Sequence, residues 1–574
     1  MTRIAGPIEP RMGIAMYRRT IFSLAIANAF ASAGAFAQTA LGPVFPVSEP
    51  TTVEALHPGI DAAPDGAFVA VWQYRTPSGG PLSENREIHA RRFGPRGVPV
   101  GEEFVVNSVE TGQQEQPRVA MNADGDFAVV WRDRSDSYTP DYGVFARRYR
   151  ADGSPRGRHF RVHERVNGSQ QDGRIAIDGD GAVVVTWRKF FSTDQQRNND
   201  VYARCFAPNG EPLATEFVVG DVTTGGQHSP AIAMNDGGRF VIAWADWQNQ
   251  AYDILAQRYD SDCETIGEPI VVAHAGSGST FYKHDPAVAI DEDGDFVVGW
   301  ASHDQDGDRY GVYARRYRGD GVPRGEEFRV NTVTTGDQRN TEVACDATGN
   351  FVVSWTARGE DGNYQDGKPS VWARRYDRRG DPQGKPFRVH PASEVLRTQQ
   401  DVAMDADGDI VVAWLGKLEN NWYGIEARRF QGFGSVDLQL NQFDTPDPIG
   451  ALGPVTYTLK VGNLTPPSTA TGEEDIDRAI GSATNVRVVA KLPPGSSNVQ
   501  TAGENWSCAV DGDIADCDYT RLLRAGANAP PLEITVSTGG IAEPTISNVG
   551  KVSADQADPR PVNNRDVETT AFQN

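Results

Sequence analysis

Seven times the chain returns to one phrase, clearest at residues 401–414, DVAMDADGDIVVAW. Each copy closes on a tryptophan, at Trp72, Trp131, Trp187, Trp244, Trp300, Trp355 and Trp414, and the intervals are 59, 56, 57, 56, 55 and 59 residues. A unit this short cannot bury a core alone, so neighbouring units must stack and share one.

Within a unit, two apolar runs flank an acidic turn: residues 118–121, then 122–126 (NADGD), then 127–131 (FAVVW). This is the pattern of a hairpin. The second run is apolar at every position, whereas a strand with one wet face would alternate, so both its faces are expected to be buried. A third run follows a variable loop, as at 144–149 (VFARRY) and 312–317 (VYARRY), and a fourth lies at 103–107 (EFVVN) and 327–331 (EFRVN). Four antiparallel strands per unit of ~57 residues make the blade of a β-propeller. The expected fold class is therefore all-β. It comprises a seven-bladed β-propeller over 38–433, closed by an N-terminal strand, and a second β domain over 434–574. The first part resembles the propeller repeat proteins of bacterial extracellular space.

The ends of the array supply their own check. The seventh unit stops after its third strand, at Phe430, while residues 42–48 (GPVFPVS) align without a gap on the fourth strand at 101–107 (GEEFVVN). An early strand is thus expected to complete the last blade, with Pro46 at the outer edge that a proline requires.

Lys+Arg 55 against Asp+Glu 77 gives a net charge of −22, with no basic stripe, which argues against a nucleic-acid partner. Residues 16–37 have a basic start, an apolar middle and an AFA end, the form of a secretory signal peptide with Met16 as the true start. No other run is long and apolar enough to span a bilayer. The mature chain is expected to be a monomer that is secreted, periplasmic or on a bacterial cell surface. Of five cysteines, Cys508 and Cys517 flank a short turn and are expected to form a disulfide. Cys205 and Cys345 fall in strand patterns and read as buried thiols; Cys263 has no assigned role.

Three carboxylates at alternate turn positions suit a hard cation, which makes Asp291, Asp293, Asp295 and Asp405, Asp407, Asp409 candidate calcium ligands. These turns resemble the calcium loops of integrin-like propeller repeats. No acidic residue follows to complete the shell, and other units put Ala182, Asn350 or Arg239 in the last position. The favoured alternative is that Asn, Asp and Gly are there to make a tight turn. The repeated arginine pairs are expected to meet acidic neighbours, and the repeated tryptophans to pack between blades rather than stack on sugars.

Strand order places the long loops on one face, and binding usually sits on loops held by a rigid scaffold. Candidate ligand-binding residues there are Trp247, His303, Tyr364 and Trp422. The neighbouring loops between blades add recurrent glutamines, Gln113 and Gln338 among them, whose alternative role is hydrogen bonding to the next blade. No nucleophile elbow or triad spacing is present, so no catalytic residue is assigned.

Past residue 434 short alternating runs, such as 455–461, 485–491 and 532–537, are punctuated by proline-rich turns. The ordered landmarks 436–438 (VDL), 456–458 (TYT), 461–463 (VGN), 483–486 (ATNV), 492–495 (LPPG), 506–508 (WSC) with Cys517, and 558–564 (DPRPVNN) resemble the conserved-repeat domain of bacterial surface proteins, domain of unknown function eleven. That resemblance implies an immunoglobulin-like β-sandwich and an envelope or extracellular setting. The function expected from all this is a non-catalytic binding or adhesion scaffold for a protein or glycan of the cell envelope or extracellular milieu. The alternative is a carbohydrate-active propeller, lectin or glycoside hydrolase. The two part over whether the long-loop face holds a cleft with clustered carboxylates and aromatic rings.

Overall fold

A computed structural model describes residues 40–571 except 50–52, 77–84, 109–111, 135–141, 165–166, 191–198, 222–224, 249–250, 276–281, 360–368, 391–396, 407, 418–421, 431, 433–435, 437, 448–452, 465–482, 484–485, 522, 525, 539–544 and 555–560. The expected signal peptide lies outside the described residues, as do Tyr364 and Asp407. The described chain is all-β, its helical structure being the short turns Val219–Asp221 and Pro561–Asn564.

Residues up to Phe430 form seven four-stranded antiparallel sheets, one per repeat, numbered here 1 to 7 in chain order. Their first strands are Glu54–Ala62, Gln114–Met121, Ser169–Ile177, Gly226–Met234, Lys283–Ile290, Asp337–Cys345 and Arg397–Met404. Each first strand packs against the next, and the seventh against the first, so the order runs in a cycle. Sheet 7 takes its outer strand from the beginning of the chain: Phe45 pairs with Ala427 and Pro46 with Glu426.

The second strands are buried on both faces, as in Phe127–Asp133, because each lies between two neighbouring sheets. The seven tryptophans are at most 2 % exposed, so they are packing groups. On the sheet faces a phenylalanine of the second strand stacks on an aromatic ring of the third, at 4.8 Å for Phe127–Tyr149 and 4.7 Å for Phe240–Tyr259.

Polar side chains then fasten the third strand. The amides of Ile88, Val312 and Val371 donate to Asn107 Oδ1 (2.7 Å), Asn331 Oδ1 (2.8 Å) and His390 Nε2 (3.1 Å). Ser48 fills the same place in sheet 7, its Oγ accepting from the Ile425 amide at 3.0 Å.

The arginine pairs bind differently from the expectation. Neighbouring strand residues point to opposite faces. The first arginine therefore reaches back and the second forward, mostly to backbone carbonyls rather than acids. Arg147 and Arg374 donate to the carbonyls of Val106 (2.8 Å) and Val330 (3.1 Å) in the preceding sheet. Arg148 donates to Asn209 (2.6 Å) and Arg316 to Arg378 (2.7 Å) in the following one. A guanidinium suits this because its fixed fork satisfies carbonyls that a turn leaves open.

Cys508 and Cys517 are joined, as expected. Cys205 is not a free thiol: it is bonded to Cys263, linking sheet 3 to a turn of sheet 4. The free cysteine is Cys345. Two disulfides fit an oxidising compartment. No helix of the described residues is long and apolar enough to cross a membrane.

Beyond residue 435 two sheets, of four and five strands, share one buried cluster that includes Leu440, Tyr457, Val488, Cys517 and Ile534. Arg378 donates to Ser553 Oγ at 3.3 Å and Arg379 meets Asp518 at 3.4 Å, so this domain touches the short turns of sheet 6.

Candidate functional site

Each first strand carries one extra residue near its start, shifting the register between Leu56 and Gly59, Glu115 and Arg118, and likewise in the other sheets. At every bulge one residue stands at positive φ, between 50° and 55°: His57, Gln116, Asp172, Ser229, Asp285, Asn340 and Gln399. Bulges re-aim side chains, and these seven line an axial cavity of about 410 Å³.

Two residues further on, the inward positions are Gly59, Arg118, Arg174, Ala231, Ala287, Glu342 and Asp401. Arg118, Arg174 and Glu342 line both this cavity and a second one of about 240 Å³ below it, where Asp401 and Asp61 join them. A charged girdle therefore divides the axis. It is bridged from sheet 3 to sheet 6 by Arg174 and Glu342 at 3.6 Å. Burial, and next the charge of Glu342, push the Asp401 carboxyl up to about 7. Burial and the Arg118, Arg132 and Arg86 charges push His57 down to about 4, so its ring is neutral at neutral pH.

Half-buried aromatic side chains rise from sheets 4 and 5 where the first strands enter. Trp247 stacks on Tyr282 at 6.2 Å and meets Tyr252 at 4.5 Å; Tyr252 meets His284 at 4.9 Å. His303 packs edge-on to Tyr310 at 4.7 Å, and the Arg339 guanidinium of sheet 6 lies 3.8 Å over that ring. His284 and Arg339 immediately precede Asp285 and Asn340 of the cavity lining, so the cluster lies on the same strands as the cavity wall although none of its rings lines the cavity.

Of the residues read from the sequence, Trp247 and His303 are brought together here. Trp422 is half-buried at the head of the third strand of sheet 7. Gln113 accepts from the Tyr142 hydroxyl at 3.2 Å in sheet 2. Gln338 is buried and internally bonded, donating to the Thr335 carbonyl (2.8 Å) and accepting from Asn331 (3.1 Å), which makes it a structural glutamine. Apart from Gln399, one of the recurrent glutamines, the axial residues were missed, although a signal exists. The bulge residue lies fifteen positions before each closing tryptophan, followed by proline in four repeats (Pro58, Pro117, Pro230, Pro286).

The acidic turns lie at the other ends of the first strands and are occupied by their own hydrogen bonds. Asp291 Oδ1 accepts from the Asp295 amide and Asp405 Oδ1 from the Asp409 amide, both at 2.8 Å. Asp295 takes the Gly319 amide at 2.8 Å and pairs with Arg324, and Asp409 pairs with Arg429 at 3.1 Å. Asp293 is exposed. Asn122 and Asn235 make the same closure at 3.0 Å without a charge, so closing the turn requires an acceptor and not a carboxylate. Among the described residues no group of three or more His, Cys, Asp or Glu side chains is placed to hold a metal ion.

No family model matches the sequence, and no curated protein matches it. The chain is similar to solved structures of low identity. One is a protein of unknown function from Dyadobacter fermentans (10 % identity, 68 % of this chain and 98 % of that one, TM-score 0.41). Another is an ulvan lyase (12 %, 68 % and 94 %, TM-score 0.39), and a third is an α-L-arabinanase from Penicillium chrysogenum (12 %, 67 % and 97 %, TM-score 0.37). The neighbours of known activity are named as polysaccharide-acting enzymes, which is what the carbohydrate-active alternative describes and not what the expected non-catalytic binding scaffold does. At these TM-scores they carry nothing about substrate or chemistry, which must come from the residues of this chain.

Proposed function

We propose that the protein is a secreted carbohydrate-active protein that takes the end of a glycan chain into the axial cavity and cleaves a glycosidic bond there. In this reading the cycle of sheets is a closed seven-bladed propeller. The C-terminal domain is an immunoglobulin-like spacer of the surface-protein type. The observation that supports the proposal is a 410 Å³ cavity whose lining includes Arg118, Arg174, Glu342, Asp172 and Asp285, with a cluster of aromatic rings on the strands beside it. Apolar ring faces stack on sugars, while convergent polar groups fix their orientation. A floor closed across the axis by Arg174 and Glu342 favours a chain end over the middle of a polymer.

The chemistry needs one carboxyl that keeps its proton and one carboxylate that accepts one. Asp401, with its raised proton affinity, lines the lower cavity just beyond the girdle and is the donor to the leaving oxygen of a chain end that reaches that level. Glu342, held against Arg174, takes the proton from the attacking water. Reducing-sugar release from a panel of plant, algal and bacterial polysaccharides tests this. Glu342→Gln or Asp401→Asn is expected to lower kcat by about 10²-fold or more, and Trp247→Ala to weaken binding. Cleavage that survives both carboxyl substitutions would remove the catalytic assignment, and failure to bind any glycan would remove the function.

A further inference from the structure

The girdle is asymmetric in a way that cleaving a neutral sugar does not call for. Its two cationic positions are neighbours, on sheets 2 and 3, and its two acidic positions are neighbours, on sheets 6 and 7. Arg174 has a counter-ion in Glu342 at 3.6 Å. Arg118 has none in contact. Its Nη1 donates to the carbonyl of Pro117 at 2.9 Å, and its Nε is buried without a hydrogen-bond partner. Arg118 is half-buried on the cavity wall, and a guanidinium drawn partly out of water with no anion in contact is unfavourable until a ligand completes it. Burial, and then the neighbouring Arg174, pull the Arg118 pKa down, against the opposing charges of Asp401, Glu342 and Asp172, none of which is in contact with it. Asp401 does not cure the shortage, since it holds its own proton up to about 7 and its carboxyl accepts the amides of Ile60 (3.1 Å) and Val402 (2.9 Å).

We propose that the axial cavity is built for an acidic sugar, a uronate, whose carboxylate is bound by Arg118 together with Arg174. This rests on the glycan reading above and narrows its substrate class. A planar carboxylate matches the fork of a guanidinium, and a pair of guanidiniums on adjacent strands reads a carboxylate better than a hydroxymethyl group. The net charge of −22 repels a polyanion at a distance, so discrimination has to come from this local pair.

The test uses matched polymers: polygalacturonate and alginate, each beside its carboxyl-reduced form, with carrageenan as a sulfated polymer lacking the carboxylate. Affinities are measured by calorimetry on the full chain and on Arg118→Gln and Arg118→Lys, with melting curves to confirm folding. The expected result is that an acidic polymer binds about tenfold or more tighter than its reduced form. The two affinities converge in Arg118→Gln, and part of the gap returns in Arg118→Lys. Equal binding of both forms by the wild type, with Trp247→Ala weakening both, would overturn the uronate assignment and leave the glycan reading standing. A preference for carrageenan that Arg118→Gln abolishes would overturn the carboxylate in favour of sulfate. No binding to any of these or to the neutral panel would remove both.

Discussion

Asp61 shows how a single side chain is bent to the repeat. Its carboxylate accepts the Met121 amide of the next sheet at 2.8 Å and the Ala62 amide at 2.9 Å, and burial pushes its pKa from 3.8 up to about 6. Asp346 is likewise pushed up to about 6 by burial, against the bonds it receives from Asn350 and Thr348. Because the folded state holds these protons more tightly than the unfolded one, the stability they contribute is complete below pH 3.8. It is lost as pH rises through about 6. The urea midpoint is therefore expected to fall between pH 4 and 7, and Asp61→Asn to make that fall shallower. A midpoint that rises over this interval, or a variant that falls as steeply as the wild type, would contradict the assignment.

At the scale of the element, the hairpin, the arginine-bearing third strand and the acidic turn were legible because each needs residue types that propensity dictates. Gly294, at φ 86°, and the Asp291 acceptor are what such a turn requires. The bulge was not legible. His57, Gln116 and Asp285 share no residue type, because only the backbone shift repeats while the side chain is free to serve the cavity. For the same reason the recurrent glutamines drew notice although those at 170, 227 and 338 are buried structural groups. Cys263 could not be paired by inspection, since its partner Cys205 lies 58 residues away on another sheet. A cross-link closing a loop of that length is worth about 4 kcal/mol by chain entropy. Cys205→Ala with Cys263→Ala is expected to lose several kcal/mol in denaturant unfolding, and a loss below about 1 kcal/mol would show that the link is dispensable.

For the whole molecule, what matters is that a cycle of sheets has seven equivalent members only if the last one is completed. Sheet 7 has its third strand at Tyr423–Phe430, and without the early segment the Ile425 amide would face no acceptor inside a cluster that buries Val47, Ile425 and Ala427 completely. The sequence alignment of 42–48 on 101–107 carried this closure correctly because register and hydrogen-bond chemistry coincide: Ser48 stands where Asn107 and Asn331 stand, and each accepts a third-strand amide. That equivalence can be tested directly. Ser48→Ala leaves a buried donor unsatisfied and is expected to cost about 1–3 kcal/mol, whereas Ser48→Asn restores an acceptor of the kind used in sheets 1 and 5 and is expected to stay near the wild type. Thermal melts of the two variants decide it. If alanine is as stable as serine, the join between the first and last sheets carries no strain worth holding, and the ring is kept by its tryptophan packing alone.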